Sequence, residues 1–154
     1  MNLSLALASL LALPNASGSP PAPGSVEAVA ESLDRVHHFH DASISPDGKR
    51  AAWSVKAREG DGPERLGLIY VAELPSGSPR RLSAAKDGKA HRELDAVFSP
   101  DGQTIAFLSD AAQPMQTQVW VAPTEGGAPR QLTRVAGQLS HLRWSPDGRS
   151  IAAL

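Results

Sequence analysis

The tetrapeptide Ser-Pro-Asp-Gly occurs three times, at Ser45–Gly48, Ser99–Gly102 and Ser145–Gly148. The copies begin 54 and then 46 residues apart, and each stands between two short segments in which apolar and polar residues alternate. Alternation with a period of two predicts half-buried strands. Proline presets φ at the second turn position and glycine accepts a positive φ. Each copy therefore predicts a tight hairpin between two antiparallel strands.

A second pair of strands follows two of these hairpins. Residues 67–73 (GLIYVAE) and 118–122 (QVWVA) are rich in β-branched and aromatic residues, and each run leads into a proline- and glycine-rich turn. Those turns end in PRRL at 79–82 and PRQL at 129–132. Four strands over about 46 to 54 residues are the content of one propeller blade. An open β-meander or sandwich is the alternative, but those folds do not repeat a turn at this spacing.

We therefore predict an all-β fold: a partial β-propeller of about two and a half four-stranded antiparallel blades. A twisted four-stranded sheet needs neighbouring blades to cover its faces, and the large apolar side chains of the strands are expected to fill the space between them. They are Trp53, Val97, Phe98, Ile105, Phe107 and Trp144.

The domain organisation follows from changes in pattern along the chain. Residues 1–18 hold an eleven-residue apolar run and resemble a signal peptide, although no Lys or Arg precedes the run. Residues 19–25 are predicted to form a proline-rich linker. Residues 26–40 are predicted to lead into the propeller and to contain a short amphipathic helix over about 26–38. Blade 1 is predicted at 41–83, blade 2 at 84–134 and the start of blade 3 at 135–154. Since the third repeat stops within its second strand, we expect a truncated piece of a longer protein.

Composition narrows the choice of partners and compartment. The formal net charge is -1 and the basic residues are scattered, so nothing favours nucleic acid as a partner. The apolar run is too short for a stable membrane span. There are no cysteines, which excludes disulfides and thiolate chemistry. The signal-like segment predicts export to the periplasm or the extracellular space.

No residue of the chain is assigned a catalytic, cofactor-binding or metal-binding role, and no cofactor is expected. The Gly-x-Ser-x-Gly pattern of an α/β-hydrolase nucleophile does not occur. The cluster His37-His38-x-His40 lacks supporting carboxylate spacing, so we interpret it as a polar helix end. The remaining candidates receive structural interpretations: His91 and His141 as isolated loop or surface residues, Asp47, Asp101 and Asp147 as turn residues, and Arg80 and Arg130 as hydrogen-bonding caps at a blade edge.

Four segments resemble known propeller repeats. They are SISPDGKRAAW at 43–53, FSPDGQTIAFLSD at 98–110, QVWVAPTEGGAPRQLT at 118–133 and RWSPDGRSIAAL at 143–154. They are similar to the repeats shared by TolB-type proteins and by the prolyl oligopeptidase family of serine peptidases, in particular the dipeptidyl aminopeptidase and acylaminoacyl peptidase types.

This resemblance implies two alternative functions. In the peptidase family the propeller precedes an α/β-hydrolase domain, which supplies the catalytic Ser, Asp and His, and the propeller restricts the access of peptide substrates. In TolB-type proteins the propeller binds protein partners in the periplasm without catalysis. TolB carries a sizeable α/β domain ahead of its propeller, whereas a short helix leading directly into the first blade resembles the peptidases. The layout of this chain therefore favours a serine-type peptidase as the parent protein.

Overall fold

The computed structural model describes residues 39–57 and 66–154, which form ten strands. Within these two ranges there is no helix with the length and hydrophobicity that a bilayer requires. The predicted signal peptide, linker and helix over 26–38 lie outside the described residues. Phe39 and His40, which we placed in the segment leading into the propeller, already belong to the first strand. The strands are β1 Phe39–Ile44, β2 Arg50–Ala57, β3 Leu66–Glu73, β4 Arg80–Leu82, β5 Glu93–Phe98, β6 Thr104–Ser109, β7 Gln118–Pro123, β8 Arg130–Gln131, β9 Arg143–Trp144 and β10 Ile151–Ala152.

The ten strands form three antiparallel sheets, which we call blades 1, 2 and 3. Blade 1 has the order β1-β2-β3-β4, blade 2 the order β5-β6-β7-β8, and the described part of blade 3 pairs β9 with β10. In each sheet, strands that lie side by side are also consecutive in the chain. The prediction of an all-β fold with four-stranded antiparallel blades is confirmed.

The Ser-Pro-Asp-Gly turns owe their shape to a small hydrogen-bond network. In the second copy, the Ser99 hydroxyl donates to the Asp101 carboxylate at 2.5 Å and accepts from the N–H of Thr104 at 3.0 Å. The φ angle of Gly102 is +71°, a conformation that glycine adopts without strain. The first and third copies repeat these bonds and the positive glycine φ. The serine, to which the sequence alone assigned no role, therefore closes each turn onto the following strand.

The three turns lie at equivalent places on neighbouring sheets. A Cβ atom added to Gly102 would lie 3.5 Å from Cδ of Pro46, in the turn of blade 1. A Cβ atom added to Gly148 would lie 3.5 Å from Cδ of Pro100, in the turn of blade 2. The second and third turns thus lie against the proline of the turn before them, which is the side-by-side stacking that a propeller requires.

Blades 1 and 2 bury an apolar core between them. Because side chains alternate along a strand, Ile105 and Phe107 of β6 point to blade 1 and are fully buried, as predicted. The core is made of Ala52, Ile69, Val71 and Leu82 from blade 1, Ala84 from the connection, and Ala96, Phe98, Ile105, Phe107, Trp120 and Ala122 from blade 2.

The opposite face of blade 2 packs on blade 3. Ala106, Leu108, Val119 and Leu142 are buried there, with Val97 and Trp144 packed against them. Trp53 belongs to neither core, so it fills neither the space between blades 1 and 2 nor that between blades 2 and 3, and its packing against a further blade stays a prediction. Its strand neighbour Ala52 faces blade 2, and alternation turns Trp53 to the other face of blade 1. There it stacks on Tyr70, with ring centroids 6.0 Å apart.

The outer strands of blades 1 and 2 are joined by a predicted arginine contact. The guanidinium of Arg80, on β4, donates a hydrogen bond to the backbone carbonyl of Thr124, which follows β7. The prediction that Arg80 caps a blade edge by hydrogen bonding is confirmed. Arg130 occupies the matching position on β8 of blade 2 and is exposed.

Candidate functional site

The candidate site lies where the innermost strands begin. β1 lies beside β5 and β5 beside β9, whereas the outermost strands β4 and β8 do not approach each other. The innermost strands therefore surround the point on which the blades converge. One residue of each blade stands four positions before the serine of its turn: Asp41, Asp95 and His141. We call these three residues the inner-strand row.

Hydrogen bonds connect the inner-strand row from blade to blade. The carboxylate of Asp41 accepts the backbone N–H of Asp95 at 3.0 Å, and the carboxylate of Asp95 accepts the N–H of His141 at 3.0 Å. Both donor residues have a positive φ, 56° at Asp95 and 55° at His141. Such angles are uncommon outside glycine, although Asp and His adopt them more readily than most residues. The carboxylate of one blade thus holds the irregular backbone of the next through a charge-assisted bond.

His40 places an imidazole beside the two carboxylates at this end of the row. Its Nδ1 atom lies 3.5 Å from the carboxylate of Asp41, and His40, Asp41 and Asp95 offer atoms within 4.8 Å of one another. These ligand types can hold a divalent cation. The same carboxylates already accept the bonds between blades, and the His40 side chain is half exposed. We therefore assign the cluster no metal.

A serine, a histidine and an aspartate also meet here, but not in a catalytic order. The Ser54 hydroxyl donates to the carboxylate of Asp41 at 2.5 Å, so it has no imidazole to remove its proton. His141 Nδ1 lies 3.0 Å from the Ser140 hydroxyl, yet the carboxylate of Asp95 binds the backbone of His141 and not its ring. Neither arrangement provides an activated nucleophile.

Glu93, at the start of β5, is a buried acid that the sequence gave no reason to single out. Its side chain is 0% exposed, and one carboxylate oxygen accepts from the N–H of Ala84 at 2.7 Å and from the hydroxyls of Ser83 at 3.0 Å and Ser109 at 3.3 Å. Burial raises the pKa of Glu93, and the bond from the Ala84 N–H opposes that rise. Through these bonds Glu93 connects the segment between blades 1 and 2 to strands β5 and β6 of blade 2.

His91 lies in a loop, as expected, but it is not isolated. Its Nε2 atom lies 3.2 Å from both carboxylate oxygens of Asp87, and its Nδ1 atom lies 3.6 Å from Asp110. Only 16% of the side chain is exposed. Asp110 belongs to the loop after β6, so no local sequence pattern could have paired it with His91.

The turn aspartates behave as turn residues. Hydrogen bonds from Ser45, Ser99 and Ser145 are the main reason that the pKa values of Asp47, Asp101 and Asp147 lie below the usual range. Each carboxylate is engaged within its own turn. Of the histidine cluster considered from the sequence, only His40 belongs to the described residues.

Solved structures share this arrangement of blades. The β-propeller domain of the Trilobed protease from Pyrococcus furiosus matches with a TM-score of 0.60 and 18% identity, over 77% of this chain and 34% of that one. The Pyrococcus horikoshii acylaminoacyl peptidase matches with a TM-score of 0.62 and 18% identity, over 79% and 18%. A putative TolB from Agrobacterium tumefaciens matches with a TM-score of 0.56 and 24% identity, over 77% and 38%. The chain carries blades of the β-propeller type seen in peptidases and TolB.

Sequence comparison finds peptidase homologues of this propeller chain, although no family model matches it. The uncharacterized peptidase YuxL of Bacillus subtilis is 32% identical over 122 residues, which are 79% of this chain and 18% of the relative. Dipeptidyl-peptidase 5 of Trichophyton equinum is 28% identical over 124 residues, 72% of this chain and 17% of the relative. The propeller chain thus spans less than a fifth of the length of either relative.

Proposed function

We propose that these blades belong to an exported serine peptidase of the prolyl oligopeptidase type. In this proposal the propeller admits peptides of limited size and positions them for an α/β-hydrolase domain, which supplies the catalytic Ser, Asp and His. The observation that carries the proposal is the 32% identity to the peptidase YuxL over 79% of the chain. The likeness in fold to an acylaminoacyl peptidase is in accord with it.

The contacts between blades support a gating role, because a passage that excludes large peptides must keep a constant diameter. Blades 1 and 2 share a continuous buried core, and the bond from Asp95 to Asp41 closes the same interface at the innermost strands. Glu93 fastens the connection between the blades to β5. Interiors packed in this way resist deformation, so a passage lined by the innermost strands would keep a defined diameter.

Labelling of the catalytic serine tests the peptidase assignment. We expect a fluorophosphonate probe to label the intact protein that contains these residues, at a serine outside the 154-residue chain, and we expect short aminoacyl peptides to be cleaved. An intact protein that is neither labelled nor active on peptides would overturn the assignment.

A variant with a weakened contact between blades tests whether the propeller selects substrates by size. Asp95→Gly removes the bond to His141 without placing a side chain at a positive φ. We expect this variant to cleave long peptides faster, while kcat/KM for a dipeptide substrate stays the same. If both substrates change in parallel, the propeller does not select by size.

A periplasmic propeller that binds protein partners, as in TolB-type proteins, is the second candidate. The observation that favours it is the match to a putative TolB, whose 24% identity exceeds that of the peptidase structures above. An intact protein without peptidase activity that cross-links reproducibly to one envelope protein would support this candidate.

Export is part of both candidates and has its own test. The apolar run Leu3–Leu13 is expected to direct secretion and to be removed. N-terminal sequencing of the protein from a periplasmic fraction should then begin close to residue 19. A protein that retains Met1 and stays with the cytoplasmic fraction would contradict the expectation.

A further inference from the structure

Blades 1 and 2 form a small polar pocket near the ends of their outer strands. It has a volume of about 230 Å³ and lies between the turn that joins β3 to β4 and the turn that joins β7 to β8. Both blades have all four strands, so complete blades form the pocket. Blade 1 contributes two arginines and an apolar floor, and blade 2 contributes a threonine and a glutamate: Arg50, Arg80, Val71, Thr124 and Glu125. We call it the outer-turn pocket.

Arg50 is an arginine that the blade repeat does not require. Its backbone N–H donates to the serine hydroxyl of its Ser-Pro-Asp-Gly turn, and those of Thr104 and Ser150 do the same in the other two copies. The three residues are therefore structurally equivalent, and of the three only Arg50 is a cation. Arg80, by contrast, recurs in blade 2 as Arg130. Arg50 thus brings to the pocket a charge that the fold itself does not need.

Thr124 is a second departure from the repeat, and it lines the same pocket. Its N–H donates to the carbonyl of Gln103, as the N–H of Leu74 donates to that of Lys49 in blade 1, so Thr124 and Leu74 are equivalent. Blade 2 therefore has a hydroxyl where blade 1 has an apolar side chain. Thr124 is only 2% exposed, and its hydroxyl has no hydrogen-bond partner among the described residues. A buried hydroxyl without a partner is unfavourable, and a ligand in the pocket can supply one.

Glu125 shows which chemical group the arginines accept. Its Oε1 atom lies 2.6 Å from Nη2 of Arg50 across the two blades, although 76% of the Glu125 side chain is exposed. Arg80 donates to the carbonyl of Thr124 and has further N–H donors for a ligand. The two arginines balance the charges of Glu73 and Glu125 in the pocket lining. When the Glu125 carboxylate turns into solvent, a single ligand carboxylate restores this balance, whereas a dianion such as phosphate exceeds it.

We propose that the outer-turn pocket binds the carboxylate of a small acylated amino acid, as at the C-terminus of a peptide. The pocket is smaller than the range of about 300 to 1,000 Å³ that holds drug-sized ligands, so it suits a single residue. The ligand carboxylate replaces that of Glu125 at Arg50 and accepts from Arg80 and from the Thr124 hydroxyl. A small apolar side chain covers Val71, and Glu125 acts as an internal competitor. This assignment does not depend on the peptidase proposal.

Methyl NMR of the intact protein, labelled at its valines, tests the proposal directly. The probe is N-acetylalanine at millimolar concentrations. We expect a saturable shift of the Val71 methyl signals and no shift at Val119, which packs on the opposite face of blade 2. N-acetylalaninamide, which lacks the carboxylate, should cause no shift. Acetate, which does not reach the apolar floor, and phosphate should both bind more weakly than N-acetylalanine.

Four variants separate the pocket from the rest of the surface. Arg50→Thr introduces the residue type that blade 2 has at this position and should weaken binding at least about tenfold. Lys49→Thr is the matched control, since it removes an exposed cation outside the pocket and should leave binding unchanged. Thr124→Val removes the hydroxyl and should weaken binding about tenfold without lowering the melting temperature, because the hydroxyl has no partner in the free protein. Glu125→Gln removes the competing carboxylate and should tighten binding by up to about fivefold.

Several results would overturn the proposal. They are the absence of a saturable shift at Val71, equal shifts with N-acetylalanine and its amide, equal affinities of the Arg50→Thr and Lys49→Thr variants, or weaker binding by Glu125→Gln. Acetate or phosphate that binds as tightly as N-acetylalanine would show a site for small anions and not for a peptide terminus. None of these readouts depends on a catalytic serine, so they are distinct from the labelling test of the peptidase assignment.

Discussion

Substitution of Asp95 separates two contributions to the stability of the contact between blades 2 and 3: the positive φ at this residue and the hydrogen bond that its carboxylate accepts. Alanine at this position would have to adopt φ near 56° without a polar side chain, which costs about 1 to 2 kcal/mol. It would also lose the bond to the His141 N–H, worth about 1 kcal/mol. We therefore expect Asp95→Ala to lower the free energy of unfolding by about 2 to 3 kcal/mol, or roughly 10 °C in melting temperature. Asp95→Gly keeps the backbone relaxed and should lose only about 1 kcal/mol.

Urea unfolding monitored by tryptophan fluorescence measures these differences, since Trp120 and Trp144 lie in the two cores between blades. Asp95→Asn is the control, because asparagine tolerates a positive φ and keeps an acceptor, and it should be the mildest variant. An Asp95→Ala variant as stable as the wild type would refute the reasoning. Equal losses for alanine and glycine would show that backbone strain contributes nothing.

Three further predictions concern the turns, the buried acid and the outer strands. Gly102→Val and Gly48→Val place a β-branched residue at the same φ of +71°, but of the two only Gly102 lies against a proline of a neighbouring turn. Thermal melting should show that each variant loses at least about 1 kcal/mol of unfolding free energy, and that the loss is larger for Gly102→Val. Burial raises the pKa of Glu93, so its contribution to stability is full below the pKa of the unfolded chain and declines as pH rises through the folded value. The stability of wild type relative to Glu93→Gln should therefore increase as pH falls from about 7 to 4, and a difference independent of pH would contradict this. Arg80→Met removes the bond to the Thr124 carbonyl and should lower the free energy of unfolding by about 1 kcal/mol. Arg130→Met in the chain alone should change the free energy of unfolding by less than about 0.5 kcal/mol. Equal losses in the two variants would show that the bond is not the cause.

The turns and strands could be predicted from the sequence because their causes are local. Proline, aspartate and glycine shape the chain within four residues, and the three copies predicted three hairpins that the structure contains. Alternation predicted which residues lie in strands, and the repeat spacing predicted that those strands form blades. The contact of Arg80 was also foreseen, since its segment recurs at the same place in two repeats.

The inner-strand row, by contrast, could not be predicted from local pattern. Asp41 accepts a bond from a residue 54 positions later in the chain, and His91 meets Asp110 across a loop and a hairpin. Glu93 looks like a surface residue in the sequence and becomes buried only when two blades pack around it.

The sequence by itself thus determined the hairpins, the four-strand unit and the propeller class, since these depend on backbone preferences and on the two-residue period of a strand. The tertiary structure decided which face of each strand meets a neighbour. It turned Trp53 away from blade 2 and left Leu132 exposed where Leu82 is covered. The physical reason is that alternation distinguishes the two faces of a strand, but only packing against another blade determines which face is buried, and by what.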